Sequence, residues 1–165
     1  MGIITHITTN SDWPNDTDGA YGDYNNNPTN SDTYCRLYNW YAVDNSSGLC
    51  PEGWQVPTNA EFTVLYDYLV NIDSKVGGQL KETGTDHWES ESSGTSNSSG
   101  FTALPAGLRS YTNGSYSNIT STTYFWTSTS GSNGRFRYLS ANSSTSFGSS
   151  TTLKTYGFSI RCLED

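Results

Sequence analysis

Three cysteines and two histidines are the side chains that could supply a nucleophile and a general base: Cys35, Cys50, Cys162, His6 and His87. Cysteine catalysis needs a thiol beside an imidazole that takes its proton. The spacing of these residues indicates no such pair, and His87 stands in the stretch TGTDHWES, which is typical of a structural loop. We therefore predict that the chain is not an enzyme.

The cysteine count favours one disulfide and one free thiol, because three cysteines cannot all pair. A bond between Cys50 and Cys162 would close a loop of about 110 residues, worth up to ~4–5 kcal/mol in the loop-entropy model. Three reduced, buried thiols are the alternative that the sequence leaves open.

Metal binding has little support in the sequence. No CxxC pair or histidine cluster is present, so we predict no zinc site. Two loose acidic groups occur, one at Asp16 and Asp18 and one at Asp86, Glu89 and Glu91. Neither has the oxygen-ligand spacing of an EF-hand, and both are typical of solvated loops. We predict no cofactor; a structural calcium ion stays open, although no motif supports it.

The composition indicates a folded domain with an aromatic core. The chain has 165 residues, of which 33% are hydrophobic, with 5 Trp and 12 Tyr. A sequence so poor in aliphatic residues can still build a core from aromatic side chains, because each buries a large area. We predict a single domain spanning residues 1–165, either a native chain or a piece excised from a longer protein.

The net charge of −8 argues against nucleic acid as a partner, because phosphate binding needs a basic patch. No apolar run approaches the ~20 residues of a membrane-spanning helix, and the first residues do not form a signal peptide. A lysine-poor surface rich in Ser, Thr and Asn favours an extracellular, cell-surface or virion location.

One helix has a clear sequence signature. Thr58 and Glu61 have capping-box spacing. The apolar residues Phe62, Leu65, Tyr66 and Leu69 then follow at i, i+3, i+4 and i+7. The pattern predicts a helix over residues 59–70, ended by Asn71, and a shorter helix near residues 75–81.

The rest of the chain predicts short strands separated by loops. An edge strand is expected near residues 3–9, followed by a loop to residue 35. Residues 37–43 suit either a strand or a helical turn. Residues 89–100 have the composition of a loop. Asn113-Gly114 predicts a hairpin. The remaining strands are expected at 102–104, 110–111, 124–128, 136–140 and 158–163. The fold class is therefore α+β.

Residues 127–156 have the composition of a binding surface. The segment is dominated by Ser, Thr, Asn and Gly, with Phe136 and Tyr138 on a strand where Arg135, Arg137 and Leu139 alternate with them. Tyrosine supplies rigid contact area, and small polar residues supply adaptable hydrogen bonds, as in antibody paratopes.

Five sequence landmarks occur in a fixed order: LYNWYAV (37–43), LCPEGWQVPTNAEF (49–62), GGQLKETGTDHW (77–88), SGFTALPAGLR (99–109) and GFSIRC (157–162). Together they resemble the Fibrobacter succinogenes major paralogous domain family over about residues 5–164. That family is similar to the C-type-lectin-like fold, alongside the formylglycine-generating enzymes and the variable proteins of diversity-generating retroelements.

The resemblance implies one or two helices, short antiparallel strands, long loops and termini that meet in one sheet. It implies a ligand-facing surface in the C-terminal third. Relatives usually have Gly where this chain has Cys35, so we expect Cys35 to be the unpaired thiol. Relatives often have an inward Trp at the Arg135 position, which would turn Phe136, Tyr138 and Ser140 outward. Formylglycine-generating activity is disfavoured, because Cys162 has no neighbouring cysteine.

We therefore predict a non-catalytic domain that recognises a cell-surface protein or glycan, at the tip of a phage tail or in a surface adhesin. A carbohydrate-binding accessory module of a secreted polysaccharide-degrading system is the alternative. An oligomer formed through an upstream region is compatible with either. The predicted ligand-binding residues are Thr129, Ser132, Asn133, Phe136, Tyr138, Ser140, Asn142, Thr151, Thr152, Thr155 and Tyr156.

A further hypothesis concerns the origin of this composition. Retroelement mutagenesis at adenines of Asn-rich templates yields chiefly Asn, Ser, Thr, Gly, Tyr, Phe, Arg and Leu, the residues that dominate 127–156. The segment ends just before GFSIRC, where the hypervariable block of such proteins stops. The alternative is that family members share this composition without diversification.

Overall fold

The computed structural model of the chain describes residues 3–45 and 48–165. Four α-helices lie in this part of the chain: α1 Pro28–Tyr34, α2 Trp40–Val43, α3 Asn59–Ile72 and α4 Val76–Leu80. Short 3-10 turns at Trp13–Asn15 and Tyr24–Asn26 precede α1. No helix in the described ranges is long and apolar enough to cross a membrane.

Helix α3 begins where the capping box predicts. The Thr58 hydroxyl accepts from the Glu61 amide at 3.2 Å, and the Glu61 carboxylate accepts from the Thr58 amide at 2.7 Å. The helix ends at Ile72, two residues later than predicted, so Asn71 is not a stop signal here. Its side chain instead donates to the Asp67 carbonyl one turn back. The second predicted helix is also confirmed, as α4.

The strands form three sheets. Ten strands are described: β1 Thr5–His6, β2 Ala20–Gly22, β3 Leu37–Tyr38, β4 Trp54–Gln55, β5 Ala106–Arg109, β6 Tyr116–Ile119, β7 Thr122–Ser130, β8 Gly134–Ser140, β9 Gly148–Thr152 and β10 Leu163–Glu164. The small sheets have the orders β1-β2-β3 and β10-β4. The largest has the order β6-β5-β7-β8-β9, with β7, β8 and β9 joined antiparallel. The predicted α+β class is confirmed.

Apolar side chains cover both faces of the largest sheet. On one face, α3 and α4 contribute Phe62, Leu69 and Leu80 to a cluster with Phe125 and Leu139. On the other face, an aromatic cluster is formed by Trp40, Trp126, Phe136 and Phe158. The aromatic content of the sequence is thus used in the core, as predicted.

Helix α1 was not predicted, because residues 10–35 were interpreted as loop. Its start has a local signature: the Asn27 side chain accepts from the Thr29 amide at 3.1 Å, and Pro28 occupies the first helical position. Proline is favoured there, because that amide would be unpaired in any case.

Several strand predictions were shifted or wrong. Residues 102–104 form only a single bridge, at Ala103, because Thr102 has a φ of 51° and Pro105 has no amide hydrogen. The hairpin at Asn113-Gly114 is confirmed, but its first strand is β5, before residues 110–111. Residues 37–43, for which a strand or a helical turn was expected, form both: strand β3 and then the short helix α2.

The predicted edge strand at residues 3–9 is confirmed, but only Thr5–His6 of this range form it, as β1. Within residues 158–163, Phe158 and Ser159 make isolated bridges, to Tyr38 and Phe125. Regular pairing begins only at Leu163.

The expectation that the termini meet in one sheet is wrong. Strand β1 lies in the three-stranded sheet, whereas β10 pairs with β4. The physical reason is the bond between Cys50 and Cys162, which holds the last residues beside the segment that precedes α3. This bond spans 112 residues and confirms the predicted pairing, while Cys35 is free and exposed.

Candidate functional site

The candidate site is built on β7, β8 and β9, whose register sets which side chains are neighbours. Tyr124 lies opposite Tyr138, and Tyr138 lies opposite Gly148. A methyl group on Gly148 would overlap the Tyr138 ring, so glycine at this position lets the ring lie across β9. Successive residues of a strand point to opposite faces. Tyr124, Phe136, Tyr138 and Ser140 therefore share the face that is not covered by α3.

On this face lies an open cavity of about 400 Å³, which we call the aromatic groove. It is lined by Thr122, Tyr124, Phe136, Tyr138, Ser140 and Ser150. The Tyr124 and Tyr138 ring centroids are 6.4 Å apart, and the Phe136 ring completes a nearly equilateral triangle, 5.9 Å from the first and 6.1 Å from the second. Three rings and no charged side chain therefore line the groove.

The polar groups of the aromatic groove are available to a ligand. The side-chain hydroxyls of Thr122, Tyr138, Ser140 and Ser150 make no hydrogen bond to the described part of the chain. The Tyr124 hydroxyl accepts from the Asn118 side chain at 3.0 Å, which holds the ring in place. The groove thus combines apolar ring surface with free hydroxyls.

A second cavity, of about 330 Å³, lies at the turn between β7 and β8, and we call it the hairpin pocket. Its lining residues are Thr129, Ser130, Gly131, Ser132, Asn133, Arg135 and Thr151. Four of the predicted residues meet here: Thr129, Ser132, Asn133 and Thr151. Thr151 lies beside the β7–β8 turn because it pairs with Arg135 across β8 and β9. The pocket is polar, and Arg135 supplies its positive charge.

The start of α3 holds one hairpin-pocket residue, Thr129, and also Ser149 of β9, which lies outside the pocket. The Thr129 hydroxyl accepts from the Asn59 amide at 2.9 Å, and Ser149 donates to the Asn59 side chain at 3.1 Å. Arg135 shares its strand face with Arg137 and Leu139. The hairpin pocket and the aromatic groove therefore lie on opposite faces of β8, and the predicted residues do not form one continuous surface.

Phe136 is not the exposed anchor that the resemblance implied. Its side chain is 9% exposed, and its ring lies 4.9 Å from Phe158 and 6.2 Å from Trp126. The C-terminal segment that contains Phe158 crosses this face and covers the ring. Only an edge of Phe136 lines the groove, while Tyr138 is half-buried and Ser140 points outward with it, as expected.

Four predicted residues line neither cavity: Asn142, Thr152, Thr155 and Tyr156. Asn142 is exposed and accepts from Ser90 at 3.2 Å. The Thr155 carbonyl accepts from the Trp13 indole at 2.8 Å. Tyr156 packs between Tyr111 and Phe158, and burial raises the pKa of its hydroxyl.

The residues that sequence reasoning missed are Thr122, Tyr124 and Ser150 in the groove, and Ser130, Gly131 and Arg135 in the hairpin pocket. Alternation along β7 places Thr122 and Tyr124 on one face, a signal that was present in the sequence. Their meeting with Tyr138 depends on the pairing register, for which the sequence contains no marker.

Catalytic and metal-binding geometry is not apparent in the described ranges. His87 Nδ1 lies 2.8 Å from a Glu82 oxygen, and His6 Nε2 lies 3.2 Å from an Asp23 oxygen, so both imidazoles contact carboxylates rather than thiols. The Asp16 carboxylate accepts from Asn39 and from the Gly19 amide. No group of three or more His, Cys, Asp or Glu that could hold a metal occurs among the described residues.

Comparison with known proteins agrees with the family that the sequence landmarks resemble. The family model of the Fibrobacter succinogenes major domain matches residues 4–164. Comparisons with curated proteins and with solved structures give no match. Since the family model covers nearly the whole length, the chain belongs to the Fibrobacter succinogenes major domain family.

Proposed function

We propose that this chain is a non-catalytic binding domain that recognises a cell-surface glycan or protein through the aromatic groove. One observation carries the proposal: half-exposed tyrosine rings lie beside free hydroxyls in an uncharged, open groove. Aromatic rings bind apolar faces of a ligand, and hydroxyls fix its orientation. The hairpin pocket, with Arg135, is a second polar contact site on the other face.

We propose also that the fold is C-type-lectin-like. Membership of the family, the α+β class and the long loop between α4 and β5 support this assignment. An experimental structure compared with lectins of that fold would test it.

An extracellular, cell-surface or virion location forms part of the proposal. The Cys50–Cys162 disulfide supports it, because such bonds persist in oxidising compartments.

The proposal is tested by Tyr138→Ala, assayed on a glycan array and on intact cells. Tyr138 contributes ring surface and a free hydroxyl, so we expect affinity to fall by about tenfold or more. Tyr68→Ala is the matched control, because Tyr68 is 65% exposed on α3, away from the groove. Equal binding by wild type and Tyr138→Ala would contradict the proposal.

The second candidate function is a carbohydrate-binding accessory module for polysaccharides. The neutral lining of the groove favours it, since stacking on tyrosine with hydroxyl hydrogen bonds suits an uncharged sugar chain. Retention on insoluble polysaccharides, without binding to intact cells, would favour this function over adhesion.

We propose further that residues 127–156 are a diversified segment. The segment contains fully buried Leu139 and Ala141 as well as exposed Ser132 and Thr151. Sequencing the gene across a population should reveal variation at exposed positions such as these two. Uniformly low variation over 127–156 would contradict the proposal.

A further inference from the structure

A third cavity lies on the opposite face of β7 from Tyr124 and has a volume of about 300 Å³. We call it the Cys35 pocket. Thr123 and Phe125 line it from β7, and Ser159 and Arg161 line it from the C-terminal segment. The free thiol of Cys35, at the end of α1, lies at its rim.

The pocket contains two buried polar groups that lack partners. Thr123 is 0% exposed and Ser159 is 5% exposed. Neither side-chain hydroxyl has a hydrogen-bond partner among the described residues. Buried hydroxyls are nearly always paired in folded proteins, so two such groups lining one cavity indicate a ligand that pairs with them.

The backbone at Cys35 is also unusual. Its φ is 61° and its ψ is −171°, a combination that is accessible essentially only to glycine. Non-glycine residues persist in such conformations mainly at functional sites. Cys35 therefore places a thiol at a position whose backbone conformation favours glycine.

Arg161 gives the pocket its charge preference. Its Nη2 donates to the Phe101 carbonyl at 3.0 Å, and its guanidinium lies 4.4 Å from the Phe101 ring centroid. These contacts hold the guanidinium in place and leave further N–H groups for a ligand. No carboxylate side chain lines the pocket, so a ligand carboxylate is the group that Arg161 would pair with.

We propose that the Cys35 pocket binds small disulfides that carry carboxylate groups and that Cys35 forms a mixed disulfide with one half of the ligand. Cys35 first loses its proton to solvent. Its thiolate then attacks one ligand sulfur, a Cys35–sulfur bond forms as the ligand S–S bond breaks, and the other half leaves as a thiolate that takes a proton from water. The ligand disulfide is the oxidant. Arg161 holds the carboxylate, and Thr123 and Ser159 hydrogen-bond to the retained half.

The test uses cystine and cystamine as probes on the full chain, with adducts located by peptide mass mapping. Cystine carries carboxylates, whereas cystamine has the same disulfide with only cationic groups. We expect the Cys35 adduct to form about tenfold faster with cystine, although the chain carries a net charge of −8. Equal rates, or a preference for cystamine, would overturn the proposal.

Variants separate the pocket from simple thiol reactivity. Arg161→Gln should abolish the preference for cystine, and Arg161→Lys should retain part of it. Ser159→Ala should slow the reaction with cystine while leaving the cystamine rate unchanged. Cys35→Gly should give no adduct and should fold normally, because glycine suits this backbone.

The Cys50–Cys162 disulfide could react with Cys35 in place of the ligand disulfide. Cys162 lines the same pocket, so a Cys35 thiolate could instead attack the Cys50–Cys162 bond. Adducts found on Cys50 rather than Cys35 would indicate that internal exchange and would overturn the proposal. None of these results depends on ligand binding in the aromatic groove.

Discussion

The two faces of strand β8 differ although both come from one seven-residue segment, GRFRYLS. On the α3 face, Leu139 is 0% exposed and Arg137 is 6% exposed. The Arg137 guanidinium donates to the Thr63 hydroxyl at 2.6 Å and to the Asn59 carbonyl at 3.2 Å. On the other face, Tyr138 and Ser140 border an open groove.

The difference teaches that open and covered positions alternate along β8, so that neighbouring residues have different environments. The α3 face is closed by a helix that crosses β8, and burial there lowers the pKa of Arg137. The other face is closed only toward the start of β8, at Gly134 and Phe136, where Trp40 and Phe158 cover it. The exposed positions of such a surface can change without changing the core, provided that the buried positions between them are kept.

Among the substitutions that test the difference between the two faces of β8, Leu139→Ala should have the largest effect. The side chain is fully buried in the cluster with α3, so its removal should lower the free energy of unfolding by about 2–5 kcal/mol. Tyr138→Ala, one residue away, should cost under about 1 kcal/mol, because its ring is only half-buried. Chemical denaturation of both variants measures the contrast. Equal losses would show that the two faces are not distinct.

Lys81 provides a second test of burial, because its ammonium is enclosed at the end of β8. Its ammonium donates to the Ser140 carbonyl at 2.8 Å and to the Ser143 carbonyl at 2.9 Å, and the side chain is 1% exposed. Burial lowers the pKa of Lys81 to about 8, against 10.5 for an ordinary lysine. Between these values the unfolded chain binds more protons than the folded chain, so the contribution of Lys81 to stability rises with pH.

We therefore expect the free energy of unfolding of the wild type to rise relative to Lys81→Met above pH 8. The expected gain is at most about 1.4 kcal/mol per pH unit. Denaturation curves at several pH values between about 8 and 10 measure the difference, and effects of buried tyrosines cancel because both proteins contain them. Parallel stability profiles would contradict the assignment.

The smallest effects are expected at the hairpin pocket. Ser132 and Thr151 are exposed, and neither side chain hydrogen-bonds to the described residues. Ser132→Ala and Thr151→Ala should change the free energy of unfolding by less than about 0.5 kcal/mol. A larger loss in thermal denaturation would place these residues in the scaffold. Thr129→Ala provides the contrast, because Thr129 accepts from the Asn59 amide.

Local sequence patterns predicted the local structures well. The Thr58–Glu61 capping box marked the start of α3, and Asn113-Gly114 marked a hairpin. Alternation in residues 136–140 correctly separated Tyr138 from Leu139. These features depend on neighbours within a few residues, so they can be inferred without the rest of the chain.

Half of the candidate site depended on contacts between distant segments. The predicted residues divide between two cavities because successive side chains of β8 point to opposite faces of the sheet, and four of them line neither cavity. Tyr124 joins the groove through its pairing with Tyr138, which a single strand cannot reveal. The pocket at Cys35 brings together residues from α1, β7 and the C-terminal segment.

The sequence by itself therefore determined the α+β class, the family, the main helix and the segment from which the groove and hairpin pocket are built. Only the tertiary structure decided which side chains of that segment are exposed. The physical reason is that exposure depends on what covers each face. For Phe136 the cover is Phe158, a residue 22 positions later in the chain that contacts it only in the folded structure.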